Sequence, residues 1–208
     1  MEENEGCLSS GKIHIAIFAS GSGTNAGKLI EYFRTHPSVS ISLIVYNNSK
    51  AKVRDIAAEN HIETLLIDKE RFFGGDAYLE ILKERHIDWI VLAGFLWKVP
   101  TALIKAYPEK IVNIHPALLP KYGGKGMYGK YVHEAVIAAK ETSSGITIHL
   151  VDEIYDHGRV IFQAECLVDP ADTPESLARK IQELEHEHFA KIVEQLITNN
   201  IQPTTYNF

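Results

Sequence analysis

Short apolar segments alternate with segments of helical period along the first half of the chain. Five segments rich in Ile, Val and Leu are predicted to be strands, at residues 13–19, 40–46, 63–67, 89–93 and 110–114. Helices are predicted between them, from the end of a loop at 20–25 to about residue 33, and at 50–60, 76–85 and 101–106. Strands that are apolar on both faces and alternate with helices form a parallel sheet covered on both sides. Because the crossovers of such sheets are right-handed, the pattern predicts a doubly wound α/β fold.

The pattern changes after a further predicted helix at residues 131–140. Residues 145–151 alternate between apolar and polar side chains, and residues 160–167 form a second extended segment, with turn residues at 156–158 between them. This arrangement is typical of an antiparallel strand pair joined by a long loop. The sheet is therefore predicted to be Rossmann-like and mostly parallel, with a C-terminal antiparallel pair.

A long terminal helix is predicted to follow the antiparallel pair. Thr173 or Asp172 is expected to cap it, because Pro174 suits the first helical turn and acidic residues follow. An apolar stripe along this helix indicates that it packs on the sheet. We therefore predict one domain over residues 12–200, a flexible tail at 1–11 and a C-terminal tail at 201–208.

Composition and charge narrow the function. The 208 residues carry a formal net charge of −6, which argues against a nucleic-acid partner because such proteins need a basic surface. A small anionic substrate stays possible, since backbone amides can bind a phosphate on an acidic protein. The chain has only two cysteines, its N-terminus is acidic and unlike a signal peptide, and it contains no apolar run of about 20 residues. These features favour a cytoplasmic protein without a membrane partner.

The glycine-containing loop after the first strand is a candidate anion site. Residues 19–26 read Ala-Ser-Gly-Ser-Gly-Thr-Asn-Ala, whose glycine spacing formally matches the dinucleotide-binding motif. A dinucleotide site also needs a carboxylate at the end of the second strand, where residues 46–49 have none. A single phosphate is therefore favoured, bound at Gly23, Thr24 and Asn25. The alternative is a turn that binds no anion.

Asn113 and His115 are candidates for acyl-transfer chemistry. They lie two residues apart at the end of a predicted strand, so both side chains point to one face, and Pro116 ends the strand there. An asparagine amide can stabilise an oxyanion, and a histidine can move a proton near neutral pH. The alternative is a buried histidine beside a structural asparagine. No metal site is expected, because His186 and His188 diverge on a helix.

These features occur together in one known family. The chain resembles the phosphoribosylglycinamide formyltransferases, which are folate-dependent formyltransferases, over roughly residues 12–200. The segments that carry the resemblance occur in the family's order, and they are ASGSGTN at 19–25, LAGF at 92–95, NIHPALLPKY at 113–122, GITIH at 145–149 and DHGRVI at 156–161. Each segment is a weak signal alone, and the five in order are a strong one.

The resemblance implies transfer of the formyl group of 10-formyltetrahydrofolate, a co-substrate, to the amine of glycinamide ribonucleotide in purine biosynthesis. It implies that His115 assists proton transfer, that Asn113 stabilises the tetrahedral oxyanion and that Asp156 pairs with His115. A carboxylate beside His115 is expected to favour the protonated imidazole. The resemblance implies no metal ion.

The resemblance also implies binding residues for both substrates. It assigns the ribonucleotide phosphate to Gly23, Thr24 and Asn25, and the amine side of that substrate to Glu185 and Gln182. The residues implied around the pterin of the folate, besides Asn113 and Asp156, are Leu96, Trp97, Lys98, Val99, Asp152, Glu153, Ile154 and Tyr155.

Three departures from the family's pattern affect binding rather than catalysis. Trp97 and Gly75 stand where family members commonly carry arginine, and Arg71 or Lys69 is a possible substitute. Residues 123–128 read Gly-Gly-Lys-Gly-Met-Tyr where many members read Pro-Gly-Leu-His-Thr. In this loop Lys125 is either an anion contact or a surface lysine.

Two other functional hypotheses stay open. A related formyltransferase or a formyltetrahydrofolate hydrolase would share the site, although such proteins usually carry an extra domain. A nucleotide-binding module without catalysis belongs to a different class, and the missing carboxylate after the second strand argues against it. The expected assembly is a monomer or a homodimer.

Overall fold

Strands and helices alternate along residues 11–74 and 77–198, the part of the chain that the computed structural model describes. The strands are β1 (Ile13–Ala19), β2 (Val39–Tyr46), β3 (Glu63–Leu66), β4 (Trp89–Leu92), β5 (Ile111–His115), β6 (Ser143–Leu150) and β7 (Val160–Leu167). The helices are α1 (Thr24–Phe33), α2 (Val53–Glu59), α3 (Lys69–Phe73), α4 (Ala77–Glu84), α5 (Thr101–Ala106), α6 (Lys130–Ala138) and α7 (Pro174–Ile197).

The strands form one sheet in the order β3-β2-β1-β4-β5-β6-β7. Strands β1 to β5 are parallel, and β6 and β7 are antiparallel to their neighbours. The direction of strand order reverses between β1 and β4, which are adjacent in the sheet but distant in the chain. This confirms the predicted doubly wound fold with a C-terminal antiparallel pair, and it directs attention to the carboxyl ends of β1, β4 and β5.

The core consists of two layers, one on each face of the sheet. Alternate residues of β1 enter opposite layers, as the period of a strand requires. Ile15 and Ile17 pack with the buried faces of α1, α2, α6 and α7. Ala16 and Phe18 pack with residues of α3, α4 and α5. The near-continuous apolar strands seen in the sequence are therefore explained by burial on both faces.

Helix α7 begins with the predicted cap. The Thr173 hydroxyl accepts a hydrogen bond from the Ser176 amide at 3.2 Å, and the Ser176 hydroxyl accepts one from the Thr173 amide at 2.9 Å. Pro174 occupies the first helical position, where no backbone donor is needed. The helix buries Leu177, Ile181 and further residues of its stripe. The capping box therefore sets where α7 begins.

Two helices differ from the sequence-based expectation. Helix α2 begins at Val53 rather than at residue 50, because the Asn48 side chain accepts a hydrogen bond from the Lys50 amide at 3.0 Å and stabilises a turn. Helix α3 was not predicted; its five residues begin after Asp68, whose carboxylate accepts a hydrogen bond from the Arg71 amide at 2.9 Å.

Some predictions fall outside the described residues. These are residues 1–10 of the tail predicted at 1–11, the C-terminal tail at 201–208, the start of the third predicted helix at Asp76, and the departure from the family's pattern at Gly75. Between residues 11–74 and 77–198, no helix is both long and apolar enough to cross a membrane. Nor do those residues contain a cluster of three or more His, Cys, Asp or Glu side chains that could hold a metal ion.

Candidate active site

A cavity of about 750 Å³ lies at the carboxyl ends of β1, β4 and β5. Its walls are the loops that follow these strands, the glycine-rich loop at 123–129, the Asp156 loop and one side of α7. The volume lies within the range of about 300–1,000 Å³ typical of small-molecule sites. The cavity thus occupies the position that the topology predicts for a ligand.

The loop between β1 and α1 leaves backbone donors available at the helix start. Gly23 is the N-cap residue of α1 with φ of 74°, and no side chain caps the helix. A Cβ at this position would lie 2.7 Å from the Val53 Cβ, so only glycine fits without displacement of the backbone or of α2. Uncapped amides and the helix dipole together favour an anion here.

Two side chains of α7 contact the start of α1. The Gln182 amide donates to the Thr24 hydroxyl at 3.3 Å, and the Asn25 amide donates to the Glu185 carboxylate at 2.8 Å. Burial raises the pKa of Glu185, and the hydrogen bond from Asn25 opposes this shift. The structure therefore brings together all five residues that were predicted to bind the ribonucleotide, the fifth being Gly23.

Asn113 is oriented by a histidine on the neighbouring strand. It lies opposite His149 in the β5–β6 pair, and its Nδ2 is 3.0 Å from His149 Nε2. His149 Nδ1 is 2.8 Å from the Leu150 carbonyl oxygen, which can only accept, so Nδ1 carries a proton. In the neutral ring Nε2 accepts from Asn113, whereas in the protonated ring Nε2 can donate toward Asp156 Oδ1, 3.7 Å away. One amide hydrogen of Asn113 is thereby engaged, and the second is free for a ligand oxygen in the cavity.

His115 is buried, with 4% of its surface exposed. Its Nε2 donates to the Tyr122 carbonyl oxygen at 2.8 Å, and its Nδ1 lies 3.6 Å from Asp156 Oδ2. Because Nε2 is committed to a carbonyl, Nδ1 is the nitrogen that can gain or lose a proton.

Burial lowers the pKa of His115, and this effect outweighs the opposing influence of the Asp156 charge and the Tyr122 carbonyl. Asp156 acts in the expected direction, but desolvation of a buried imidazolium is the larger effect. The neutral imidazole, which can accept a proton, is favoured near neutral pH.

Asp156 is held between both histidines and the glycine-rich loop. Burial alone would raise its pKa, but His149, His115 and the Gly124 amide outweigh burial and lower it. The Gly124 amide donates to Asp156 Oδ2 at 2.8 Å. A Cβ on Gly123 would lie 3.2 Å from the Asp156 Cβ and 2.5 Å from Leu119 Cδ2. Gly123, which stands where many members of the family carry proline, thus allows this loop to approach the Asp156 side chain closely.

Sequence reasoning missed two residues that support the site, His149 and Thr147. Thr147 lies opposite His115, and its hydroxyl donates to the Ala117 carbonyl at 2.7 Å and accepts from the Leu119 amide at 2.9 Å. These bonds hold the chain just after His115. The sequence does indicate that Thr147 and His149 share one face of a strand, because they lie two residues apart in the segment GITIH at 145–149.

A smaller cavity of about 70 Å³ adjoins the larger one, and Asn113 and Asp156 line both. Most of the predicted folate-binding residues line the smaller cavity, namely Trp97, Lys98, Val99, Asp152, Ile154 and Tyr155. Leu96 lines the larger cavity instead. Glu153 lines neither cavity and is exposed, so the structure does not bring it into the site.

The structure also shows the surroundings of residues named where the sequence departs from the family's pattern. Trp97 packs against an aromatic group formed with Phe72, Phe73 and Phe95, with ring centroids 5.7 to 6.2 Å away. Arg71 stacks over Tyr78 at 5.1 Å, and neither Arg71 nor Lys69 lines either cavity. Lys125 lines the larger cavity.

Comparisons with known proteins agree on one activity class. A family model described as "Formyl transferase" matches residues 13–193. The chain is 36% identical to the chloroplastic phosphoribosylglycinamide formyltransferase of Arabidopsis thaliana over 90% of its own length and 66% of that relative, thus just under two thirds of it. It is 32% identical to the phosphoribosylglycinamide formyltransferase of Bacillus subtilis, over 89% of this chain and 95% of that one. The crystal structure of the phosphoribosylglycinamide formyltransferase from Anaplasma phagocytophilum is similar at a TM-score of 0.84 and 30% identity, covering 95% of this chain and 97% of that chain.

Proposed function

The chain belongs to the formyl transferase family, and on this premise we propose that it transfers the formyl group of 10-formyltetrahydrofolate to the amine of glycinamide ribonucleotide in purine biosynthesis. The observation that carries the proposal is the shared cavity, in which Asn113, His115 and Asp156 face the uncapped start of α1. The names of the relatives support the same substrates.

The ribonucleotide is proposed to bind along the α1 side of the cavity. Its phosphate accepts hydrogen bonds from the amides of Gly23, Thr24 and Asn25, where the helix dipole favours negative charge. Glu185 and Gln182 then lie beside the sugar and the amine, because both already contact the start of α1. Lys125 adds a positive charge in the same cavity.

The folate is proposed to bind along the wall formed by residues 96–99 and 152–156. The smaller cavity has a volume of about 70 Å³, which is well below the roughly 300 Å³ of ordinary ligand sites. The reduced folate acts as a co-substrate, and the proposed chemistry uses hydrogen bonds and proton transfer by side chains.

The proposed reaction is a direct transfer through a tetrahedral intermediate. The amine nitrogen attacks the formyl carbon, and the carbonyl π electrons move onto the oxygen. The resulting oxyanion accepts a hydrogen bond from the second amide hydrogen of Asn113. His115 Nδ1 takes the proton that the amine loses and returns it to N10 of the folate. The bond between the formyl carbon and N10 then breaks, leaving tetrahydrofolate and the formylated amine. Asp156 stabilises the transient imidazolium.

The rival functions differ in what they require for release of tetrahydrofolate. A spectrophotometric assay of the purified protein with 10-formyltetrahydrofolate follows that release, with and without glycinamide ribonucleotide. We expect release that depends on the ribonucleotide. Release without it would indicate a hydrolase. Thermal stabilisation by NAD with no response to folates would indicate a nucleotide-binding module.

The cellular setting is part of the proposal. A cytoplasmic location rests on the low cysteine content, which suits a reducing compartment. We propose a monomer or homodimer that acts on small molecules only.

A further inference from the structure

A buried histidine that the proposed reaction does not use lines the larger cavity. His133 lies on α6, and 6% of its surface is exposed. Its Nδ1 is sealed from solvent and has no hydrogen-bond partner within residues 11–74 and 77–198. Buried side chains of folded proteins normally have hydrogen-bond partners, and this ring can gain one from the cavity only through Nε2, the nitrogen that is not sealed.

The protonation of His133 follows from this environment. Burial lowers the pKa of His133, and the nearby His115 lowers it further, so the ring is neutral near neutral pH. A neutral imidazole has one N–H group. Nδ1 is the sealed nitrogen, and burying an N–H group without an acceptor costs more than burying a lone pair. The hydrogen is therefore placed on Nε2. His133 thus offers an uncharged donor.

The position of His133 selects the substrate that it can reach. It lines the cavity together with Gln182 and Glu185, and it does not line the smaller cavity that holds most of the candidate folate residues. His133 and His115 line the same cavity, and both are buried. This placement favours the ribonucleotide over the folate as its partner.

We propose that His133 contacts the ribonucleotide and donates a hydrogen bond from Nε2 to an uncharged oxygen between the phosphate and the amine. A neutral donor suits an ether, hydroxyl or amide oxygen better than a phosphate, which would favour the protonated ring. This inference rests on the proposed function. It adds a specificity residue to the ribonucleotide half of the site.

Three variants separate contact from packing. His133→Leu removes the donor and keeps an apolar side chain of similar size. His133→Gln carries its amide near the position of Nε2, whereas His133→Asn carries its amide near the sealed Nδ1. Steady-state kinetics with each substrate varied in turn, and the melting temperature of each variant, are measured beside the wild type.

We expect the Leu and Asn variants to raise KM for the ribonucleotide roughly three- to tenfold, the loss of one neutral hydrogen bond. We expect kcat and KM for the folate to stay within about twofold in both, and the Gln variant to restore the ribonucleotide KM. If the Leu variant fails to fold, the difference in ribonucleotide KM between the Gln and Asn variants still tests whether His133 contacts the substrate.

Other outcomes overturn the inference. An unchanged ribonucleotide KM in the Leu and Asn variants would make His133 a packing residue, and so would a Gln variant as impaired as the Asn variant. A shift in the folate KM alone would assign it to the other substrate. A wild-type protein that releases no tetrahydrofolate would refute the proposed function itself, and the role of His133 with it.

Discussion

Three glycines near the site allow two effects on stability to be measured separately, that of the left-handed backbone conformation and that of close packing. Gly23 and Gly94 both have φ of 74°, a conformation that side-chain-bearing residues adopt at a cost. A Cβ on Gly23 would lie 2.7 to 2.9 Å from three atoms of Val53, whereas a Cβ on Gly94 would meet nothing within 4 Å. A Cβ on Gly27, inside α1, would meet Ile56 at an ordinary 3.9 Å.

The expected changes in the free energy of unfolding follow from these contacts. Gly94→Ala should cost about 1–2 kcal/mol, the penalty of the left-handed conformation alone. Gly23→Ala should cost about 2–5 kcal/mol, because overpacking adds about 1–3 kcal/mol to the same penalty. Gly27→Ala should instead stabilise the protein by about 0.5–1 kcal/mol, because alanine is the better helix former.

Urea-induced unfolding of the wild type and the three variants at one temperature measures these changes. The order of stability is expected to be Gly27→Ala, wild type, Gly94→Ala and then Gly23→Ala. If Gly23→Ala cost no more than Gly94→Ala, the loop and α2 would be able to separate freely. The close packing of Gly23 against Val53 would then not be what holds the start of α1 in place.

Three further predictions concern the site. His115→Ala and Asp156→Asn should each reduce turnover by about 10²–10⁴. Because the Asp156 charge raises the pKa of His115, Asp156→Asn should also move the acid limb of the kcat/KM profile to lower pH; an unmoved limb would contradict their pairing. Combined Thr24→Ala and Asn25→Ala changes remove the side-chain hydrogen bonds to Gln182 and Glu185. They should therefore raise KM for the ribonucleotide and not for the folate, and the reverse would place the ribonucleotide elsewhere. Burial raises the pKa of Glu185 above its ordinary value of 4.5, so the folded state loses stability as pH rises above 4.5 and this buried carboxyl must ionise. Glu185→Gln should therefore stabilise the protein at pH 7 but not below pH 4.5, as urea unfolding at both pH values would show. An equal effect at both pH values would contradict this.

The fold was largely predictable because its strands are buried on both faces. Such strands appear in the sequence as short apolar runs, and the predicted limits of β7 and of α5 agree with the structure. Helix α3 escaped prediction because five residues are too few for a periodic pattern. The start of α2 was misplaced because the side chain of Asn48 competes for the backbone there.

The candidate site was predictable only in part. The period of a strand is a local property, so the shared face of Asn113 and His115 could be inferred from spacing. The partner of Asn113 could not, because His149 lies 36 residues away and is brought opposite by the β5–β6 register. The net lowering of the pKa of His115 could not be predicted for a similar reason, since burial depends on packing from distant segments.

The central claim is that the formyl group passes directly to the ribonucleotide amine. The most direct measurement supplies 10-formyltetrahydrofolate labelled with ¹³C in the formyl group, together with glycinamide ribonucleotide, and follows the label by NMR with the His115→Ala variant as control. The account predicts that the label appears on the ribonucleotide amine with the wild type and at a far lower rate with the variant. Label that appears as free formate, or equally fast with both proteins, would contradict it.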